Sequence, residues 1–277
     1  MPATGNKTYH PLTLSIRIHA DGFSFFVCDP QSGSLVRGEH FRRADAVPLA
    51  AQLQQELTRP DYFNRQIDQT YVLICSPATH IPLEEFRRDE AADLYHLAFA
   101  AEDRDAVRVA YTILPQLEAV ELYAIPRDVE ETILQFYPTA RFFASRAMLM
   151  ERLLRFEEDS RRDSSRRLFL CPEEGGFSLF AFDSGHLRLA NTYPAESDVD
   201  VQYYTLNVWQ LLGMQSLTDH LVLCLADTAQ WQELRRGLAE YILHVEAIRH
   251  EDLFRRVALA AEQQVPADLK ALLLNRL

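Results

Sequence analysis

The chain has 277 residues, 48% of them hydrophobic, enough for one large core or two ordinary ones, which excludes disorder and coiled coil. Its 28 basic residues stand against 40 acidic ones for a net charge of −12, a balance that repels phosphate backbones and excludes nucleic acid as an expected partner. Only nine glycines are present, so a backbone cradle for phosphates starts from a low expectation.

In chain order, Leu12 to Ile18 alternates apolar and polar residues as a half-buried strand, Asp21-Gly22 supplies a hairpin turn, and Phe23 to Cys28 is a second, more continuously apolar strand. Asp29 to Gly33 turns the chain into a third strand, Leu35 to Phe41. An amphipathic helix over Ala46 to Leu57 and a buried strand over Tyr71 to Cys75 follow. Strands are expected at Val107 to Ile113 and Glu121 to Ile125, a helix at Arg127 to Phe136, a strand at Ala140 to Phe143, and a long helix from Ser145 to Glu158 capped by Ser145. Glu157 to Arg167 is charged and Ser-rich, a natural boundary.

The same pattern then returns. GFSFFVCD at 22–29 recurs as GFSLFAFD at 176–183, an offset of 154 residues, and the flanking strands match at nearly the same offset. The second meander comprises Leu168 to Cys171, Phe177 to Phe182 and Leu187 to Tyr193, joined by Gly175-Gly176 and by Asp183 to Gly185. A helix from Val199 to Leu212, a strand from Leu221 to Leu225, a helix from Ala229 to Ala239 with Thr228 as its cap, a strand from Tyr241 to Ala247, and helices from Glu251 and Pro266 complete it. The chain therefore divides into an N-terminal module, 1–158, with inserted strands around 79–125; a linker, 159–167; and a C-terminal module, 168–277.

The meander followed by helix, strand, helix, strand, helix resembles a ribonuclease-H-like module, and two in tandem resemble the actin-like ATPase fold. The expected fold class is α/β, with a mixed sheet and flanking helices in each module. The stretch from Glu121 to Leu154, ELYAIPRDVEETILQFYPTARFFASRAMLMERLL, is similar to the strand-helix-strand-helix segment of PilM-type pilus assembly proteins. The chain also resembles an uncharacterised bacterial family of small actin-like-fold proteins without assigned activity, with YVLICSPATHIPLEEF at 71–86 as the segment after the first helix.

That resemblance implies where a nucleotide would sit. The first turn of each meander would wrap the phosphates, giving Gly22, Ser24, Gly175, Gly176 and Ser178 as cofactor-binding residues, with Asp21 and Glu174 as catalytic carboxylates around magnesium-bound ATP. The sequence departs from the pattern in three places. Asp21 lies in the turn rather than at the strand end, the second turn lacks the D-x-G, and the late adenosine turn, Ala226-Asp227-Thr228, has no glycine pair. Hairpin chemistry alone also accounts for Asp21-Gly22 and Gly175-Gly176. Glu196, Asp198 and Asp200 read as helix-capping acids, and the strand aromatics as core. No histidine spacing suggests a metal, and Cys28, Cys75, Cys171 and Cys224 read as buried reduced thiols.

No leader-like or membrane-length apolar run is present, so direct membrane insertion is not expected and a cytoplasmic location is. Three function classes follow: a non-catalytic actin-like scaffold with no cofactor, an ATPase or small-molecule kinase, and a two-metal nuclease on one module. The absence of acids inside the core strands, together with the charge and the duplication, argues against the nuclease. The resemblance to PilM-type proteins implies a protein partner, a membrane-protein cytoplasmic tail laid in a groove of the N-terminal half.

Overall fold

The computed structural model describes residues 11–59, 67–160, 165–173, 175–183, 186–224, 229–254, 262 and 265–276. In the first module β1 (Leu12–His19), β2 (Gly22–Asp29), β3 (Ser34–Arg42) and α1 (Leu49–Leu57) are followed by β4 (Ile67–Ile74). An inserted unit of β5 (Ala78–Pro82), α2 (Ala91–Ala98), β6 (Val107–Leu114) and β7 (Ala119–Pro126) leads to α3 (Arg127–Phe136), β8 (Arg141–Ala144) and α4 (Ser145–Ser160). The second module holds β9 (Arg167–Glu173), β10 (Gly176–Asp183), β11 (His186–Pro194), α5 (Asp198–Leu211), β12 (His220–Cys224), α6 (Ala229–Ala239), β13 (His244–Ile248), α7 (His250–Leu253) and α8 (Ala267–Arg276).

The two large sheets have one topology. Their strand orders are β3-β2-β1-β4-β8 and β11-β10-β9-β12-β13, with the meander antiparallel and the last two strands parallel. β2 and β10 are buried along nearly their whole length because both sheet faces are covered, which is why they read as continuous apolar runs. β3 and β11 are edges, largely exposed. A bulge interrupts the β2–β3 register between Val27 and Cys28 and the β10–β11 register between Ala181 and Phe182, the same place at the 154-residue offset.

The turn glycines belong to this repeat. A Cβ on Gly22, whose φ is +143°, would lie 2.0 Å from Phe41 O, and one on Gly176 would lie 2.1 Å from Tyr193 O. Each glycine thus lets the third strand close on the hairpin. The preceding carbonyls bind the residue after that strand, Arg43 N to Asp21 O at 2.7 Å and Ala195 N to Gly175 O at 3.3 Å. The repeated serines behave alike: Ser24 Oγ bonds His40 Nδ1 at 2.8 Å on β3, and Ser178 Oγ bonds Thr192 Oγ1 at 2.7 Å on β11.

One core spans the molecule. Ala147, Met150, Leu153 and Leu154 of α4 and Leu269, Leu272 and Leu273 of α8 are buried between the sheets, packing with Phe26 and Phe143 of one module and Phe169 and Phe180 of the other. The inserted sheet, ordered β5-β7-β6, has its own small core around Tyr95, Val120 and Leu122.

Several expectations are corrected. β1 is not half-buried, since Thr13 and Ser15 are as enclosed as Leu14 and Ile16. The first helix begins at Leu49 because Pro48 holds its N-terminus at φ −54°, ψ 140°. Ser145 is the first residue of α4, and its hydroxyl bonds Asp268 rather than capping the helix. Tyr241 to Leu243 lie outside β13, because Ile242 N still bonds Leu238 O at the end of α6. Thr228 and most of the linker's Ser-rich centre lie outside the described residues. Of the acids read as capping residues, Asp200 in the first turn of α5 forms a reciprocal capping box with Ser197.

Replacing Gly22 or Gly176 by Ala is expected to cost about 1–3 kcal/mol or more through this strand clash. Gly175, at φ +75° with open space within 4 Å of where a methyl would sit, should lose only about 1–2 kcal/mol on the same change. Urea unfolding of the three variants checks the order.

Candidate functional site

The strand ends of the two meanders face each other across a cleft with a main chamber of about 1110 Å3 and an adjoining one of about 450 Å3. Both chambers are lined by Arg17, His19 and Asp21 from the first module, by Ser145 and Arg146 from α4, and by Glu173 from the second. At the repeat offset His19 and Glu173 are equivalent positions, each the last residue of its strand.

Two polar networks cross this cleft. In the first, Asp268 on the opening turn of α8 accepts Arg17 Nε at 2.8 Å, Ser145 Oγ at 2.5 Å and a long contact from Cys75 Sγ at 3.9 Å, while its other oxygen accepts Leu269 N at 2.8 Å. The side chains of Arg17 and Asp268 are only 16% and 8% exposed, so the pair is largely out of water. In the second, Arg146 donates to Thr192 Oγ1 at 2.9 Å and to Ala78 O at 3.0 Å, and lies 3.5 Å from Glu121. Thr192 in turn bonds Ser178, and Ser178 donates to Glu173. Consecutive residues at the start of α4 thereby anchor both networks.

The electrostatics follow from burial. Desolvation raises the Glu173 carboxyl above its ordinary 4.5, against the Ser178 hydrogen bond and the Arg146 charge that pull it down. Burial pushes the Cys75 thiol up to about 12, so it is a protonated, unreactive group. Among the described residues no group of three or more His, Cys, Asp or Glu side chains is placed to hold a metal ion. Cys28, Cys171 and Cys224 are buried and Cys75 half-buried, all as free thiols.

Of the residues assigned to phosphate turns, Asp21, Gly175 and Gly176 line the cleft, with Asp21 exposed on its rim. Gly22 is pressed against β3, and Ser24 and Ser178 are buried and committed to the third strands. Glu174 and the late turn 226–228 lie outside the described residues. Gly22 and Gly176 serve strand closure while Gly175 faces open space, the serine hydroxyls are spent internally, and the floor beside the first turn is an arginine paired to an aspartate. Sequence reasoning missed Arg17, Glu173, Arg146, Asp268 and Glu121. Arg17 and Glu121 had a signal, a charge inside an apolar strand run; Glu121 is fully buried in β7, which corrects the reading that the core strands hold no acid.

Asp268→Ala, which removes the carboxylate paired with the largely buried Arg17 charge, is expected to cost about 3–5 kcal/mol, and Arg17→Met/Asp268→Ala less than the two single changes summed; urea titrations of the cycle test this. The pH response has a definite sign. A carboxyl whose folded pKa is raised contributes stability that is present below 4.5 and lost as pH rises through the folded value. The stability of Glu173→Gln relative to the native chain should therefore rise from pH 4.5 toward 7, and a difference independent of pH would refute the burial argument.

The fold is matched among solved structures by a Bacteroides thetaiotaomicron protein described as having an actin-like ATPase fold and unknown function. That protein is 25% identical over 99% of both chains with a TM-score of 0.77. The chain is also similar to the PilM-PilN type IV pilus biogenesis complex, at 10% identity over 96% of this chain and 97% of that one, TM-score 0.54. No curated protein matches it in sequence. The architecture is the actin-like ATPase fold expected from the repeat, and no described helix is long and apolar enough to cross a membrane. Residues 5–245 match the family described as protein of unknown function DUF3822, and the chain belongs to that family.

Proposed function

We propose that this chain is a non-catalytic, actin-like-fold protein that works in the cytoplasm by binding a partner protein, its nucleotide cleft rebuilt as an internal clasp. The observation that carries this reading is the Arg17–Asp268–Ser145 cluster, which places a paired cation beside the turn where the fold's ATPases gather phosphate and metal. A charged pair this enclosed yields to a ligand only if the ligand replaces its interactions. The similarity to PilM, whose solved structure is a complex with PilN, supports a protein partner, and the cytoplasmic tail of a membrane protein is the proposed kind. No cofactor is needed for this role.

The cleft volume favours one competing reading. About 1110 Å3 is ample for a nucleotide-sized ligand, and Asp21 and Gly175-Gly176 line the cleft, so an ATPase or kinase using Asp21 and Glu174 is the alternative. Thermal unfolding with and without magnesium and ATP separates the two. The clasp predicts no shift in Tm, whereas stabilisation by several degrees, with phosphate release abolished by Asp21→Ala, establishes the enzyme.

A further inference from the structure

Glu121 sits in the middle of β7, a strand otherwise made of buried, mostly apolar residues, and its side chain is 0% exposed. Neither carboxylate oxygen receives a hydrogen bond from a described residue. Its ion-pair neighbours stand off, His80 Nε2 at 3.4 Å and Arg146 Nη2 at 3.5 Å, because the Arg146 guanidinium is turned toward Ala78 O and Thr192 Oγ1. A buried carboxylate short of donors is expensive, so its place in the strand calls for a donor from elsewhere. It borders the 450 Å3 chamber, which Asp21 and Glu173 also line. With Arg17 paired to Asp268, the Arg146 guanidinium stands against three acids of the chamber, Asp21, Glu121 and Glu173.

We propose that this chamber binds a small organic cation, an alkylammonium whose three N–H donors meet Glu121 and Glu173 and whose hydrocarbon part lies against Phe99 and Tyr193. An ammonium supplies the donors that Glu121 lacks and the positive charge that balances the acids of the chamber. The aromatic walls suit its alkyl body, and the net charge of −12 draws cations toward the protein. A divalent metal is a poorer occupant, for no described group of three His, Cys, Asp or Glu ligands converges. The ligand would touch both modules, Glu121 and Phe99 on one side and Glu173 and Tyr193 on the other, and so brace the closed cleft.

Calorimetric titration of the full chain at pH 7 with n-butylammonium, and with 1-butanol as its uncharged counterpart, tests the site. Butylammonium is expected to bind at one site and raise Tm, with butanol doing neither. Glu121→Gln weakens binding about tenfold or more, and Glu173→Gln, which preserves the shape of the cleft, provides the same comparison if the first variant folds poorly. Equal binding of butanol and butylammonium, no binding of either, or unchanged affinity in both variants overturns the proposal.

Discussion

The hydrogen-bonded ion pair between Arg17 and Asp268, closed by the Ser145 hydroxyl, is the interaction on which the relation of the two modules depends. It joins the first strand of one module to the last helix of the other, and Ser145 begins the helix that crosses between them. Taking two such charges from water costs several kcal/mol each, a cost offset only where geometry is good and further hydrogen bonds complete the shell. The Asp268 carboxylate meets that condition, receiving donors at both oxygens. The apolar contacts of α4 and α8 supply the nondirectional attraction that presses the modules together, while this cluster fixes how they meet.

Duplication and divergence can be separated residue by residue. What the repeats share is mechanical: Gly22 and Gly176 for close strand approach, Ser24 and Ser178 for a bond to the third strand, and a bulge at the same register. What differs lies at the strand ends, where Arg17 and His19 of one repeat correspond in position to Cys171 and Glu173 of the other. The charged groups there are satisfied by other elements, Arg17 by Asp268 of α8 and Glu173 by the Ser178 hydroxyl and the Arg146 charge.

The meanders were legible in the sequence because a strand period of two and paired turn glycines are local signals. The inserted strands β6 and β7 and helix α3 were legible for the same reason. β5 was not, since ATHIP is short and half-buried, and neither was α2, whose Leu97 faces solvent at 81% exposure. The clasp lay beyond local reading altogether, as Arg17 and Asp268 are 251 residues apart in the chain. Asp268 sits in the first turn of a helix, where an acid ordinarily signals only the helix dipole. A single charge in an apolar strand, as at Arg17 and Glu121, marks a buried electrostatic contact without naming its partner.

The most direct measurement is a crystal structure of the chain grown with magnesium and a non-hydrolysable ATP analogue. The account predicts that Arg17, Asp268 and Ser145 remain joined and that no nucleotide lies between the His19–Gly22 and Gly175–Gly176 turns. A phosphate chain seated between those turns, with Arg17 drawn away from Asp268, would contradict it.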